Sequence, residues 1–197
     1  MFEFVADRYG AAVADLVDDQ RLCALGPGQP QLAFRQPLAR LTPQRLVEPR
    51  PLIDPPSALG CISALWLWHD FLDESHQISQ QLDDASGRYW HAIMHRREPD
   101  FANSKYWFHR VGEHPVFAPL RAAASELARA GPTDAQSAYL VGQTSWDPLR
   151  FVDLCASAVR HSAPNERLCR RIARVEWQLH FDDCFRRAVG GSGAEPA

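Results

Sequence analysis

Eight of the fifteen prolines fall between residues 27 and 56, at positions 27, 30, 37, 43, 49, 51, 55 and 56. Proline fixes φ and removes a backbone donor, so neither a continuous helix nor an inner strand can run through such a stretch. Residues 24–57 are therefore expected to be irregular. A segment of that length without regular structure is unusual inside a compact domain. Its scattered Leu32, Phe34, Leu38, Leu41, Leu46, Leu52 and Ile53 argue that it wraps a core rather than linking two bodies.

Outside that segment the punctuation is helical. Residues 3–20 read as a helix with Phe4, Val5, Ala12, Val13, Leu16 and Val17 on its apolar face. Residues 57–83 read as one long helix beginning near Ser57. A second runs over 86–98, with Ser86 as N-cap and Pro99 as stop. A short helix over 102–111 ends at Gly112, with Asp100 a candidate cap. Another over 116–130 ends at Gly131–Pro132, and residues 134–142 add a turn or two. Asp147–Pro148 is an N-cap and N1 pair that opens a helix to about His161, and Asn165 starts a last helix to Ala188. Strand-like alternation is absent. The expected fold is all-α: a single-domain multi-helix bundle over residues 1–190 with the Pro-rich segment wrapped on it, and a disordered tail over 191–197.

The hydrophobic fraction is 46% and the formal net charge is −3. A slightly acidic chain with scattered arginines is a poor nucleic-acid binder, so no nucleic-acid partner is expected. The longest apolar stretch, ISALWLW, stops at His69–Asp70, far short of the roughly 18 residues a membrane span needs. The first residues, MFEFVADRYG, lack the pattern of a signal peptide. Five cysteines with no CxxC pair suit reduced thiols, and hence a cytoplasmic protein, better than a disulfide or zinc framework. Twenty arginines against the single Lys105 suggest a GC-rich bacterial genome.

The chemistry-bearing residues fall on three helical lines. With about 100° per residue, His69, Asp73, His76 and Gln80 share one side of the 57–83 helix with Ile62, Leu65, Trp66 and Leu72. His91, His95 and Glu98 stand at i, i+4 and i+7 on the next helix. Glu176, His180 and Asp183 repeat that spacing near the end. Imidazoles four apart point the same way and can share a divalent ion such as Zn, Fe or Mn, with a carboxylate from a neighbouring helix. Asp73-x-x-His76 has the shape of the Glu-x-x-His found in di-iron bundles, with Asp in place of Glu. HxxxH alone is a weak signal, and the bland reading is that each histidine satisfies a core hydrogen bond. Clustering argues the other way: six of eight histidines lie within 69–114, and four of six tryptophans within 66–107. Aromatic walls around convergent polar groups are typical of small-molecule sites.

The run WHAIMHRREPDFANSKYWFHRVGEHPVF, with HDFLDESHQISQ before it, resembles an uncharacterised family of bacterial and fungal proteins over most of residues 60–120. The resemblance marks a place on the chain and implies no reaction.

The expectation is an enzyme acting on a small polar substrate, by hydrolysis or isomerisation. His91, His95, Glu98, His69 and Asp73 are the candidate catalytic residues, and Trp90, Asn103, Tyr106, Trp107 and Arg97 the candidate substrate contacts. His91, His95, His69, His76, Glu176 and His180 are the candidate metal ligands. Arg96 and Arg97 either bind an anionic substrate or pair with Glu98 and Asp100. The other readings are a non-catalytic small-molecule binder and a structural or assembly protein whose polar seams fix helix register. The expected partner is a small molecule, and a homo-oligomer is compatible with the sequence.

Overall fold

A computed structural model describes residues 2–18, 20–132, 134–161 and 165–191, and among them there is no β-strand. The all-α reading holds. Except for Gly191, the tail expected to be disordered lies outside the described residues.

The N-terminal region differs from the expected helix over 3–20. A 3-10 turn, Ala6–Tyr9, is followed by Gly10 at φ 101° and the single-turn helix α1, Ala11–Ala14. Only glycine enters that backbone region cheaply, so the apolar period crosses a break it does not reveal. The Pro-rich segment is not wholly irregular. A 3-10 turn, Leu32–Phe34, runs into α2, Arg35–Ala39, and Pro43 opens α3, Pro43–Val47, whose N-cap Thr42 accepts from the Arg45 amide. Leu25, Leu38, Leu46 and Val47 are buried, so the segment does pack on the core.

Helix α4, Pro55–Trp68, is capped by Asp54 and has prolines in its first turn; eleven of its residues are buried. It does not run on to residue 83. The chain turns at His69–Phe71 and restarts as α5, Leu72–Ser79. The turn is a Schellman motif: the Phe71 amide donates to the Trp66 carbonyl at 3.0 Å, and that of Asp70 to Leu67 at 3.1 Å. Asp70 takes the left-handed position, φ 65°, where glycine is usual. Its carboxylate is fixed there by Arg21 at 2.6 Å and Arg97 at 2.5 Å. No local sequence signal marks this corner.

Helix α6, Ala85–Arg97, is capped by Asp84, whose Oδ1 accepts from the Gly87 amide at 2.8 Å, and not by Ser86. Helix α7, Phe101–Val111, is capped by Asp100 as expected. The two run antiparallel from the turn at 98–100. Helices α8, Phe117–Arg129, α9, Tyr139–Gly142, and α10, Pro148–His161, lead to α11, Glu166–Ala188, the longest at 23 residues. No helix of the described residues is long and apolar enough to cross a membrane.

Two polar devices hold the packing. Non-helical backbone at residues 20–27 cannot satisfy its own carbonyls, and arginines do so. Arg97 donates to Gly26 O at 2.8 Å and Pro27 O at 3.3 Å, Arg170 to Cys23 O at 2.9 Å and to Leu22 O, and Arg174 to Gln20 O at 3.3 Å. Inside the core, Arg96 chelates the fully buried Glu176, which also accepts from the Tyr89 hydroxyl at 3.1 Å. Removing one member of such a pair strands the other charge in the interior. Glu176→Ala is expected to lower the unfolding free energy by about 3–5 kcal/mol, read from urea denaturation. A loss below about 1 kcal/mol would mean that water reaches Arg96.

Candidate metal centre

The corner at Asp70 sends α5 back across α6, and this brings three imidazoles together. His76 comes from α5, and His91 and His95 from successive turns of α6. One ring nitrogen from each lies within 4.8 Å of the others. His91 and His95 are 4% exposed, while His76 is half-buried, so the cluster meets solvent on the α5 side. The His91 and His95 rings stack with centroids 4.6 Å apart, and their Nε2 atoms approach to 3.0 Å. His76 lies at centroid distances of 4.8 and 5.1 Å from them.

The proton arrangement follows from the partners. His95 Nδ1–H donates to Glu98 Oε1 at 3.0 Å, which leaves the Nε2 lone pair facing the cluster. Two donors converge on that lone pair: His91 Nε2 at 3.0 Å and the Asn103 carboxamide at 3.0 Å. Burial, then the neighbouring His95 and His76, push the His91 pKa down to about 3. Burial and His95 also lower that of His76, against the pull of Glu98 and Asp73. Both rings are therefore neutral at pH 7. Trp107 of α7 covers His91 at a centroid distance of 4.2 Å, and no lysine or arginine among the described residues bonds to any of the three rings.

Of the expected site residues, His76, His91, His95, Glu98, Asn103 and Trp107 come together. Asp73 is exposed one turn from His76 and acts on it through charge alone. Tyr106 lies at the rim, 52% exposed and edge-on to Trp107.

The others are elsewhere. Both ring nitrogens of His69 are bonded away from the cluster, to Leu16 O at 2.7 Å and Gln31 Oε1 at 2.6 Å, and Phe34 stacks on it. The break after α4 separates it from His76. Glu176 is taken by Arg96, and Arg97 by Asp70 and loop carbonyls, so neither arginine pairs with Glu98 or Asp100. Trp90 is wholly buried, donating to Cys184 Sγ at 3.4 Å.

His180 belongs to a second group with His114 and Asp183, also within 4.8 Å and buried. That group is already satisfied. His180 Nε2 donates to Ser86 O at 3.0 Å, His114 Nδ1 accepts from the Val116 amide at 3.3 Å, and His114 Nε2 meets Ser86 Oγ at 3.0 Å. Arg187 lies against Asp183 at 3.4 Å and against Ser86 Oγ, where a bound cation would be. A third group, His95, Glu98 and Asp100, shares its histidine with the first, and Asp100 is occupied in capping α7.

Sequence reasoning passed over Arg88 and gave no role to Arg110, the two residues that extend the histidine row by one turn. The available signal was spacing: Arg88 precedes His91 by three residues, and Arg110 follows Trp107 by three. Comparisons with family models, curated proteins and solved structures gave no match.

His180 fills space between Tyr89 and Trp90, at centroid distances of 4.3 and 4.2 Å. His180→Ala should therefore cost about 2–4 kcal/mol of stability, as other large-to-small core changes do, seen as a lower thermal midpoint. A loss below about 1 kcal/mol would mean that the neighbouring rings close over the space.

Proposed function

We propose that this chain is a divalent-metal-dependent enzyme acting on a small polar substrate, with His76, His91 and His95 holding the ion. One observation carries the reading. Three imidazoles converge, no lysine or arginine among the described residues bonds to them, and the outer nitrogen of His95 is held by a carboxylate. Histidine ligands characteristically donate their second ring N–H to such a partner, which fixes the tautomer and raises ligand basicity. Glu98 is that partner here. His91 Nε2 carries the ring proton while it donates to His95, and would become a ligand in the other neutral tautomer, with the proton on Nδ1.

Three nitrogen donors suit zinc best among the common ions, and iron before manganese. Neutral ligands leave the ion its full double charge, which lowers the pKa of a bound water and polarises a substrate carbonyl or phosphoryl oxygen. The half-buried His76 side gives substrate its approach. The Asn103 amide, already beside His95, can turn to hold a substrate oxygen, and Trp107 forms a wall. Hydrolysis is the reaction this set serves most directly.

The test is metal content. Full-length protein dialysed against zinc or cobalt should retain one equivalent and melt at a higher temperature. His91→Ala and His95→Ala should lose the ion. Glu98→Gln should weaken its binding by roughly 10–100-fold, as removal of outer partners does elsewhere. Loaded protein is then assayed on small esters, amides and phosphate esters. Failure of any divalent ion to bind stoichiometrically sinks the reading.

A further inference from the structure

Helices α6 and α7 are laced together in three rungs. Asn103 meets His95, Trp107 covers His91, and the Arg110 carbonyl accepts from Arg88 Nη1 at 3.4 Å. The first two rungs belong to the histidine cluster. The third seats the Arg88 guanidinium on the backbone of Arg110, one turn further along the same edge.

Their surroundings differ from those of the other arginines on α6. Arg96 and Arg97 are each locked to a buried carboxylate, whereas among the described residues no carboxylate pairs with Arg88 or Arg110. Arg88 Nε is buried and has no hydrogen-bond partner, an arrangement that costs stability unless something accepts from it. Arg110 is exposed yet held in place. Its guanidinium lies 5.6 Å from the Trp107 ring centroid and 5.7 Å from that of Tyr106, and it reaches the Tyr106 hydroxyl at 3.3 Å. Stacking of this kind orients the donor fork while leaving it free to bind an anion.

We infer that Arg88 and Arg110 form an oxyanion-binding end of the site, so that the substrate carries a carboxylate or phosphate apart from its reacting group. This rests on the metal reading for the reacting end only; the anion end stands on its own residues. A small molecule with an anionic head bridges the two, its head on the arginine fork and its scissile bond opposite His91 and His95. Two cations beside the dicationic centre favour an anionic substrate over a neutral one and speed its capture.

The probes are inorganic phosphate and acetate, titrated calorimetrically into full-length, metal-free protein, so that no ion can itself bind the anion. At least one probe should bind. R88Q and R110Q should each weaken it about tenfold or more, and the double variant should abolish binding, since each removes a charge-assisted fork. K105Q is the control for bulk charge. Lys105 is on the same helix but pairs with Asp153 at 2.5 Å, and its loss should leave affinity unchanged. If R88Q does not fold, R110Q carries the test alone. The inference is overturned if neither anion binds, if the arginine variants bind like wild type, or if K105Q weakens binding as much as they do. Metal uptake without arginine-dependent anion binding removes the anion end and leaves the metal centre standing. Arginine-dependent binding in a protein that takes up no metal supports the anion end and removes the metal reading.

Discussion

One carboxylate organises the region around the site. Asp70 holds a left-handed backbone conformation that costs a non-glycine residue about 1 kcal/mol, and ion pairs to Arg21 and Arg97 offset that cost. The consequence is geometric. Were α4 and α5 continuous, His69 and His76 would share a face, and both would look toward the N-terminal segment that His69 contacts through Leu16 and Gln31. The corner separates them and turns His76 onto α6. Arg97 also closes α6 two residues beyond His95 and holds the carbonyls of Gly26 and Pro27. The wrapping segment, the corner and the end of the histidine helix thus share a single pair of charges.

How much of this was legible in the sequence depends on where each signal resides. Boundaries set by local chemistry could be read directly: Asp100 before α7, Gly112 after it, and Asp147–Pro148 before α10. The corner at Asp70 could not, because its cause lies at Arg21 and Arg97, distant in sequence. The hydrophobic period continues through it undisturbed. The Ser86 cap was displaced for a smaller reason: Asp84 binds the Gly87 amide, and the Ser86 hydroxyl is engaged by His114 and Arg187. At the site, HxxxH on α6 supplied two of the three rings. The third came from a line drawn along a helix that turned out to be two.

The same residue type ends in three different conditions, and partners decide which. His69 has each ring nitrogen committed to an oxygen, so it is a structural link between α4 and the N-terminal segment. His114 and His180 are close enough to share an ion, yet their nitrogens serve Ser86 and the Val116 amide while Arg187 supplies the positive charge beside Asp183. Among the described residues the group at His76, His91 and His95 has no such cation bonded to it, and its most tightly placed lone pair, on His95 Nε2, faces more donors than it can serve. Spacing alone cannot separate these cases, since His180 and Asp183 look as promising in sequence as His91 and His95. The difference lies in charge.

That difference also accounts for the place of Trp107. A guanidinium in contact with the three imidazoles would do there what Arg187 does beside Asp183, and repel a metal ion. Trp107 touches both the cation and the cluster: the Arg110 guanidinium lies 5.6 Å from its ring centroid and the His91 ring 4.2 Å from it. An indole suits that position, because its face attracts the guanidinium through its quadrupole. Lysine at 110 would hold the charge but not the stack, because a compact, strongly hydrated ammonium lacks the planar face that orients the fork. Under the proposed function the arrangement would reconcile two demands that conflict at short range: no fixed cation bonded to the three imidazoles, and a fixed cation for an anionic substrate.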